Sequence, residues 1–270
     1  MNKCGEFQRF PGVGKPNGNK AGWSKYFDGG HGGIFGDFSS DLSEDWQAKQ
    51  DNRGAVSEGV LLRRGRADAR KEEEVKRQKG YAAAIKKAEV IWNSASLAND
   101  QHPYLLQKGI KSNGARSHNG SLVIPVLIDG QISSLQYINS DGSKQFMPGG
   151  QASGGYSCIG TFEGVNALCI AEGFATGATI HQATGHPVVI AFGAGNLESV
   201  AKAIRRKLPD LPLIICADDD AATKGNPGIT KANKAALATG AKVAVPEFKD
   251  PRPEGATDFN DMAAQIGMEA

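Results

Sequence analysis

Two apolar runs in the second half of the chain end in acidic residues. The first, NALCIAEG, ends in Glu172 and Gly173, and the second, LPLIICADDD, ends in the consecutive aspartates Asp218, Asp219 and Asp220. If the second run is an extended strand, Asp218 and Asp220 share a face and Asp219 points away. Crowded carboxylates repel one another, and a divalent cation such as Mg²⁺, which binds a few carboxylates together with water and phosphate oxygens, relieves that repulsion. The pattern therefore predicts a metal site, although an aspartate cluster after a strand can also be only a turn or a helix cap.

The segments around these acids alternate between short apolar runs and helix-like patterns. Strands are predicted at NALCIAEG, PVVIAF, LPLIICADDD and AKVAVP, with helices between them and a last helix at TDFNDMAAQIG. Strands that are apolar on both faces and alternate with helices predict an α/β domain with a mainly parallel, four-stranded sheet. In such sheets the working residues lie just beyond the carboxyl ends of the strands, which is where these acids fall.

The preceding segment, residues 99–165, is predicted as a small α+β subdomain with an antiparallel sheet. Its apolar runs are separated by Asp129-Gly130 and Asp141-Gly142, and Asp-Gly between such runs is a strong hairpin signal. Pro125 lies inside one run and predicts an edge strand or a bulge, because proline cannot donate to a strand ladder.

The first third of the chain has a different composition. Residues 57–98 are predicted as a highly charged helical segment, and the glycine- and aromatic-rich residues 1–56 as short hairpins. Together with 99–165 and the parallel-sheet domain at 166–270, these segments make up the predicted domain organisation.

Composition and charge exclude several classes of protein. No apolar run is long enough to cross a membrane and the N-terminus lacks the apolar core of a signal peptide, so we expect a cytoplasmic protein. The four cysteines form no CxxC pair and no His or Cys pair has zinc-ligand spacing, so no zinc is expected. The net charge is +2, with basic residues in excess over 1–165 and acidic ones over 166–270. This distribution suits a protein whose basic half attracts a polyanion and guides it towards metal-binding carboxylates in the acidic half.

Several short motifs together resemble one family. The Glu-Gly pair after one strand and the Asp-x-Asp pattern after a later one resemble the TOPRIM domain of primases, topoisomerases and related nucleases. EGFATG resembles the EGYATA motif of primases carried by conjugative plasmids and phages, with Phe174 in place of Tyr and Gly177 in place of Ala. FGAGNL, DDDAATKGNPG, TDFND and the upstream HPYLLQKGI and SKQFMPGG are similar to the same group. The resemblance covers residues 80–267 and extends more loosely to the catalytic core of the bacterial replicative primase.

The resemblance implies a DNA primase-type nucleotidyltransferase, that is, a DNA-directed RNA polymerase. Such an enzyme makes short RNA primers on single-stranded DNA from ribonucleoside triphosphates, by two-metal-ion catalysis with Mg²⁺ or Mn²⁺, in plasmid or phage replication. A replicative helicase is a further implied partner. A TOPRIM nuclease, which uses the same acids with water as nucleophile, and a nucleic-acid-binding replication accessory with weak catalysis remain the alternatives.

The resemblance also implies roles for individual residues. It makes Glu172, Asp218 and Asp220 the catalytic and metal-binding acids. Nucleotide or DNA binding is expected of Lys144, Arg116, Lys111 and Gly173, although Arg116 and Lys111 fit a solvated surface better than a binding role. The secondary acidic candidates are Asp258, Asp261 and Asp219, and the first two can also be read as the cap and first-turn acid of the last helix.

Overall fold

The chain folds into two compact units, Met1–Lys79 and Gly80–Ala270. The computed structural model describes residues 6–27, 32–40, 42–47 and 55–267. None of the helices within these ranges is long and apolar enough to cross a membrane.

The first unit holds one antiparallel sheet with the strand order β1-β2-β3-β4. Trp23, Phe27 and Ile34 form its small core, and a Cβ added at Gly36 would overlap the Trp23 ring. The glycines of this segment therefore let an aromatic ring lie against a neighbouring strand. The elements are β1 (Phe7–Phe10), β2 (Gly22–Tyr26), β3 (Gly32–Asp37), β4 (Leu42–Gln47) and helix α1 (Ala55–Ser94), whose residues from Gly80 onward belong to the second unit.

The second unit contains an antiparallel sheet with the order β5-β6-β7-β8-β9. Its β7–β8 hairpin turns at Asp129 and Gly130, both with positive φ, as the Asp-Gly signal predicts. Ala84 and Ala88 of α1 pack against Val123 of this sheet. The elements are β5 (Ser96–Leu97), α2 (Pro103–Lys108), β6 (Arg116–His118), β7 (Ser121–Ile128), β8 (Gln131–Ile138) and β9 (Lys144–Phe146).

Pro125 lies in β7, where two features make a proline tolerable. The pairing of β7 with β6 ends at Val123, opposite Arg116, so Pro125 lies beyond it. A register shift between Val126 and Leu127 marks an irregularity one residue further along. The missing N–H of proline therefore removes no hydrogen bond of the β6–β7 ladder.

A second, mainly parallel sheet forms the centre of this unit, with the order β10-β12-β11-β13-β14. Four of its strands are parallel and correspond to the four predicted runs, whereas β10 pairs antiparallel with β12. The elements are β10 (Ser157–Ile159), β11 (Leu168–Ala171), α3 (Phe174–Thr184), β12 (Val188–Ile190), α4 (Leu197–Lys207), β13 (Leu213–Cys216), α5 (Pro227–Thr239), β14 (Lys242–Ala244) and α6 (Phe259–Ile266).

The four-stranded prediction for this sheet was incomplete because β10 was missed. The strand has three residues, and it lies in the segment 99–165 that was predicted to belong to the antiparallel subdomain. A strand this short carries no periodicity, and it exists because the exposed edge of β12 offers backbone partners. The observed α/β architecture therefore has a five-stranded sheet with an antiparallel edge.

Alternate residues of the central strands face two separate cores. Cys169 and Ala171 of β11 pack with helix α3, whereas Leu168 and Ile170 of the same strand pack with helices α4 and α5. Burial on both faces explains why the strands read as continuous apolar runs. It also fixes the register of β11, and with it the position of Glu172 directly after the strand.

Candidate active site

Two of the acids lie at the carboxyl ends of neighbouring parallel strands. Glu172 follows β11 directly, and Asp218 lies two residues after the end of β13. The two strands are hydrogen-bonded in parallel register with Ala171 opposite Cys216, so their ends meet at the same edge of the sheet. The fold thereby brings together two acids that are far apart in sequence.

The environment of Glu172 raises its pKa to about 7. Burial is the largest cause, and the charges of Asp220 and Asp258 add to it. A hydrogen bond from the backbone N–H of Ala194 acts in the opposite direction. Glu172 is therefore a carboxyl group whose negative charge is poorly compensated by the protein.

Asp218 is in the same situation, since its pKa is raised to about 8. Burial again comes first, followed by the charges of Glu172, Asp258 and Asp220, while Lys144 acts to lower it. Glu172 thus raises the pKa of Asp218, and the charges of Asp220 and Asp258 raise the pKa of both, so four carboxylates share one region of the molecule.

Two of these carboxylate oxygens are buried without a hydrogen-bond partner among the described residues. They are Oε1 of Glu172 and Oδ1 of Asp218. A buried oxygen of this kind costs about 1–3 kcal/mol, or more when it is charged, unless something satisfies it. The site is therefore built to receive a positive group.

Asp220 is held by the start of helix α5. The backbone N–H of Gly228 donates to Asp220 Oδ2 at 3.1 Å, and the Asp220 N–H donates to Asn226 Oδ1 at 3.0 Å. A Cβ added at Gly228 would overlap the backbone carbonyl of Asp218. Glycine is therefore required for the helix to approach the aspartate loop this closely.

Asp219 makes different contacts from its two neighbours. Its carboxylate accepts hydrogen bonds from Asn226 Nδ2 and Arg252 Nη1, both at 2.6 Å. The hydrogen bond from Asn226 and the contact with Arg252 lower the pKa of Asp219. The structure thus places Asp219 in an ion pair and Asp218 among like charges.

Asp258 and Asp261 form the capping box of helix α6. Asp258 Oδ1 accepts from the Asp261 N–H at 2.9 Å, and its Oδ2 accepts from Thr176 Oγ1 at 2.9 Å. Asp258 also contributes to the raised pKa of Glu172 and of Asp218. It is therefore both a helix cap and a member of the acidic group.

Lys144, on the edge strand β9, lies beside the acids. A Cβ added at Gly173 would lie 3.9 Å from Lys144 Nζ. Burial, followed by the charge of Lys108, lowers the pKa of Lys144, whereas Asp258 and Asp218 raise it. The two sheets of the second unit thus contribute to one site, with acids from the parallel sheet and a lysine from the antiparallel one.

Arg116 and Lys111 make other contacts. The Arg116 guanidinium donates to the carbonyl of Trp92 and lies over its ring, 4.4 Å from the centroid. Lys111 is exposed, and its backbone N–H donates to Gln182 Oε1 at 2.7 Å. The contacts recorded for the described residues connect neither side chain to the acidic group.

Sequence reasoning missed three residues near the acids. Lys108 lies 3.6 Å from Asp261 Oδ1, and Tyr104 is almost fully buried with its hydroxyl unpartnered among the described residues. Burial and then the charge of Asp258 raise the pKa of Tyr104 to about 12. The third is Arg252. The segment HPYLLQKGI gave a signal for the first two, but Arg252 belongs to a loop with no local pattern.

The donor set fits a divalent cation that substrate helps to coordinate. In the described ranges, no three His, Cys, Asp or Glu side chains are close enough to enclose an ion. Mg²⁺ is commonly bound through one or two carboxylates, with waters and substrate phosphates completing its shell. Glu172 and Asp218 each offer one unpartnered carboxylate oxygen, and these two hard donors match that requirement.

Comparison with known proteins finds one family match and several relatives. Residues 167–269 match the family described as Toprim domain. Two proteins of Escherichia coli, both named DNA primase TraC, are similar in sequence. One is 32% identical over 258 residues, which is 90% of this chain and 24% of that protein. The other is 40% identical over 157 residues, which is 54% of this chain and 11% of that protein.

The chain therefore spans only a minor part of the length of either relative. Among solved structures, the zinc-binding and RNA polymerase domains of the Aquifex aeolicus primase give a TM-score of 0.47 at 14% identity, covering 99% of this chain and 78% of that one. The sequence match over 167–269 coincides with the strands and helices that bring the acids together. Residues 167–269 are thus similar to the Toprim domain family, in a chain related in sequence to the proteins named DNA primase TraC of Escherichia coli.

Proposed function

We propose that this chain is a DNA primase-type nucleotidyltransferase that joins ribonucleotides on a single-stranded DNA template. The observation that carries the proposal is the pair of half-buried carboxyl groups that follow β11 and β13, with raised pKa values and one buried oxygen each that has no partner among the described residues. The sequence relationship to proteins named DNA primase supports the choice of reaction. Plasmid or phage replication is the proposed setting, with a replicative helicase as a further partner.

In this proposal Glu172, Asp218 and Asp220 hold the catalytic cations. Mg²⁺ or Mn²⁺, with two ions proposed, would lower the pKa of an attacking 3′-hydroxyl and stabilise charge on the leaving pyrophosphate. The protein contributes a buried set of hard oxygen donors at a fixed edge of the sheet. Burial strengthens the attraction of these oxygens for a cation, because the surroundings screen charge weakly.

Lys144 and Gly173 are proposed to meet the phosphates. Lys144 Nζ lies near Asp218 and Asp258, so its positive charge is held where phosphate oxygens would approach the acids. Gly173 has no side chain to separate an incoming phosphate from this lysine. Arg116 and Lys111 are proposed to contact template, at a distance from the reacting groups.

Primer synthesis can be separated from cleavage in one experiment. Purified protein is incubated with end-labelled single-stranded DNA and differently labelled ribonucleotides, in Mg²⁺ or Mn²⁺. The proposal expects template-dependent RNA products with the wild-type protein and none with Glu172→Gln, and it expects the DNA to stay intact in both samples. Degraded DNA without RNA products would favour the nuclease, and DNA binding without either product would favour the accessory role.

A further inference from the structure

The guanidinium of Arg252 joins the loop that carries Asp218 and Asp220 to the loop that carries Asp258. Nη1 donates to Asp219 Oδ2 at 2.6 Å, and Nη2 donates to the Asp219 carbonyl at 2.6 Å. On its other side, Nη2 and Nε donate to the Ala256 carbonyl at 2.6 and 2.9 Å. Asp219 belongs to the loop 218–220 after β13, and Ala256 to the loop 256–258 before α6. One planar side chain therefore spans both loops.

Asp219 is fully occupied by these contacts and their neighbours. Besides Arg252, its Oδ1 accepts from Asn226 Nδ2 at 2.6 Å, and its N–H donates to the carbonyl of Thr257 at 2.7 Å. Every polar atom of Asp219 thus has a partner, and none of these partners is one of the catalytic acids. The residue is an ionised anchor in the middle of the aspartate loop, with Asp218 and Asp220 on either side.

The two loops need such a tie because they carry like charges. Asp258, on the loop before α6, contributes to the raised pKa of Asp218 and of Glu172. Repulsion of this kind pushes the loops apart when no cation lies between them. Arg252 opposes it with charge-assisted hydrogen bonds, and its guanidinium lies over the Phe248 ring, 4.2 Å from the centroid, which limits its own freedom.

We propose that Arg252 is a positioning residue that ties the loop of Asp218 and Asp220 to the loop of Asp258, so that Asp218 and Asp220 stay where they bind a divalent cation together with Glu172. Arg252 itself touches neither the cation nor the substrate. The inference rests on the proposed function, because it assumes that these acids bind a metal. It goes beyond that function by assigning the spacing of the acids to a side chain that no motif marks.

The test is the Mn²⁺ affinity of the metal-free full chain, measured by titration calorimetry for Arg252→Lys. Lysine keeps the positive charge but has a single ammonium, which cannot reproduce the four-bond bridge of a guanidinium fork. We expect Mn²⁺ affinity to fall about tenfold or more, as is typical when a side chain that orients metal ligands is replaced. Thermal unfolding of the same sample shows whether the variant is folded.

Arg205→Lys is the matched control. Arg205 also uses its guanidinium to bind backbone carbonyls, donating to those of Thr239, Pro209 and Leu211 at 2.7 to 2.9 Å. Residues 209 and 211 precede β13, whereas the acids follow it, so this bridge lies at the opposite end of the strand. We expect Arg205→Lys to lose stability but to bind Mn²⁺ like the wild type. An equal loss of affinity in both variants would show general destabilisation and would overturn the proposal.

A second variant applies if Arg252→Lys does not fold. Asp219→Asn keeps the Arg252 bonds to the backbone and removes only the charge that anchors the guanidinium, so its Mn²⁺ affinity should fall by a smaller but measurable factor. Wild-type affinity in folded Arg252→Lys or in Asp219→Asn, together with a clear loss in Asp218→Asn, overturns the role of Arg252 and leaves the metal site intact. If the wild-type chain binds no Mn²⁺, the proposed function fails, and this inference fails with it.

Discussion

At Glu172 and Asp218, burial and the neighbouring negative charges both raise the pKa. Their pKa values of about 7 and about 8 mean that in the metal-free protein each carries a proton over much of the neutral range. The same two residues could be named from the sequence because each ends an apolar run. Asp258 was named through the resemblance as a secondary acidic candidate, but its local pattern is that of a helix cap and does not show that it lies near these two acids.

Replacement of Glu172 by Gln tests whether the negative charge of this side chain is needed for catalysis. The change keeps the shape and removes the charge, so we expect primer synthesis to fall about 10²-fold or more, about 3 kcal/mol in the barrier, with the fold intact. Rates of ribonucleotide incorporation measure the effect, and circular dichroism checks the fold. Near-normal synthesis by the variant would remove Glu172 from the mechanism.

The raised pKa values also predict a pH dependence of stability in the absence of metal. Between the unfolded pKa values near 4 and the folded values near 7 and 8, the native state binds more protons than the unfolded state, so stability falls as pH rises. Each pKa unit corresponds to about 1.4 kcal/mol, and we expect a loss of at least that size between pH 5 and pH 8.

Urea unfolding at both pH values, with chelator present, measures this loss. Asp218→Asn cannot ionise, and its stability should therefore depend less on pH than that of the wild type. A wild-type chain that becomes more stable from pH 5 to pH 8 would contradict the assigned environment of the two acids.

At the level of elements, close packing of helix α5 positions the aspartate loop. The parallel strands and their helices could be predicted because burial on both faces leaves continuous apolar runs and glycine or asparagine caps. Strand β10 and the Arg252 bridge could not be predicted, since a three-residue edge strand and a loop contact depend on tertiary neighbours rather than on local pattern. The resemblance supplied Lys144, which no spacing argument would have brought next to Gly173.

Gly228→Ala tests the contact between α5 and the loop. The added Cβ would overlap the Asp218 carbonyl, a backbone atom that cannot change rotamer. We expect a net loss of about 1–3 kcal/mol in the free energy of unfolding, with weaker Mn²⁺ binding because the loop shifts. Gly80→Ala is the control, since a Cβ there meets no described atom within 4 Å and alanine favours a helix. Equal stability of the two variants would refute the packing argument.

On the scale of the whole molecule, the charged front of the chain is a candidate surface for phosphates. Basic residues cluster between Arg63 and Lys87, but the side chains of 55–70 and 72 lie outside the described part of the chain. The lysines of this segment that are described, at 71, 76, 79, 86 and 87, are exposed. Exposed positive charges of this kind are able to bind the phosphates of a single strand.

Binding to single-stranded DNA should therefore weaken steeply with salt. A single strand contributes a slope of about 0.7 per phosphate contacted, so about four to six contacts predict a log–log slope of about −3 to −4. Removal of residues 1–79 should lower affinity and flatten the slope while leaving Mn²⁺ binding unchanged. Fluorescence anisotropy over a salt series measures both. Unchanged affinity and slope would show that the charged segment is only a solvated surface.

The central claim is that the carboxylates at the ends of β11 and β13 bind the catalytic cations. A crystal structure of the chain soaked with Mn²⁺ and a ribonucleoside triphosphate, with anomalous scattering used to locate manganese, tests it most directly. The account predicts manganese bound to oxygens of Glu172, Asp218 and Asp220, with the triphosphate beside Lys144 and Gly173. Manganese and nucleotide bound elsewhere, with these three carboxylates left without a cation, would contradict it.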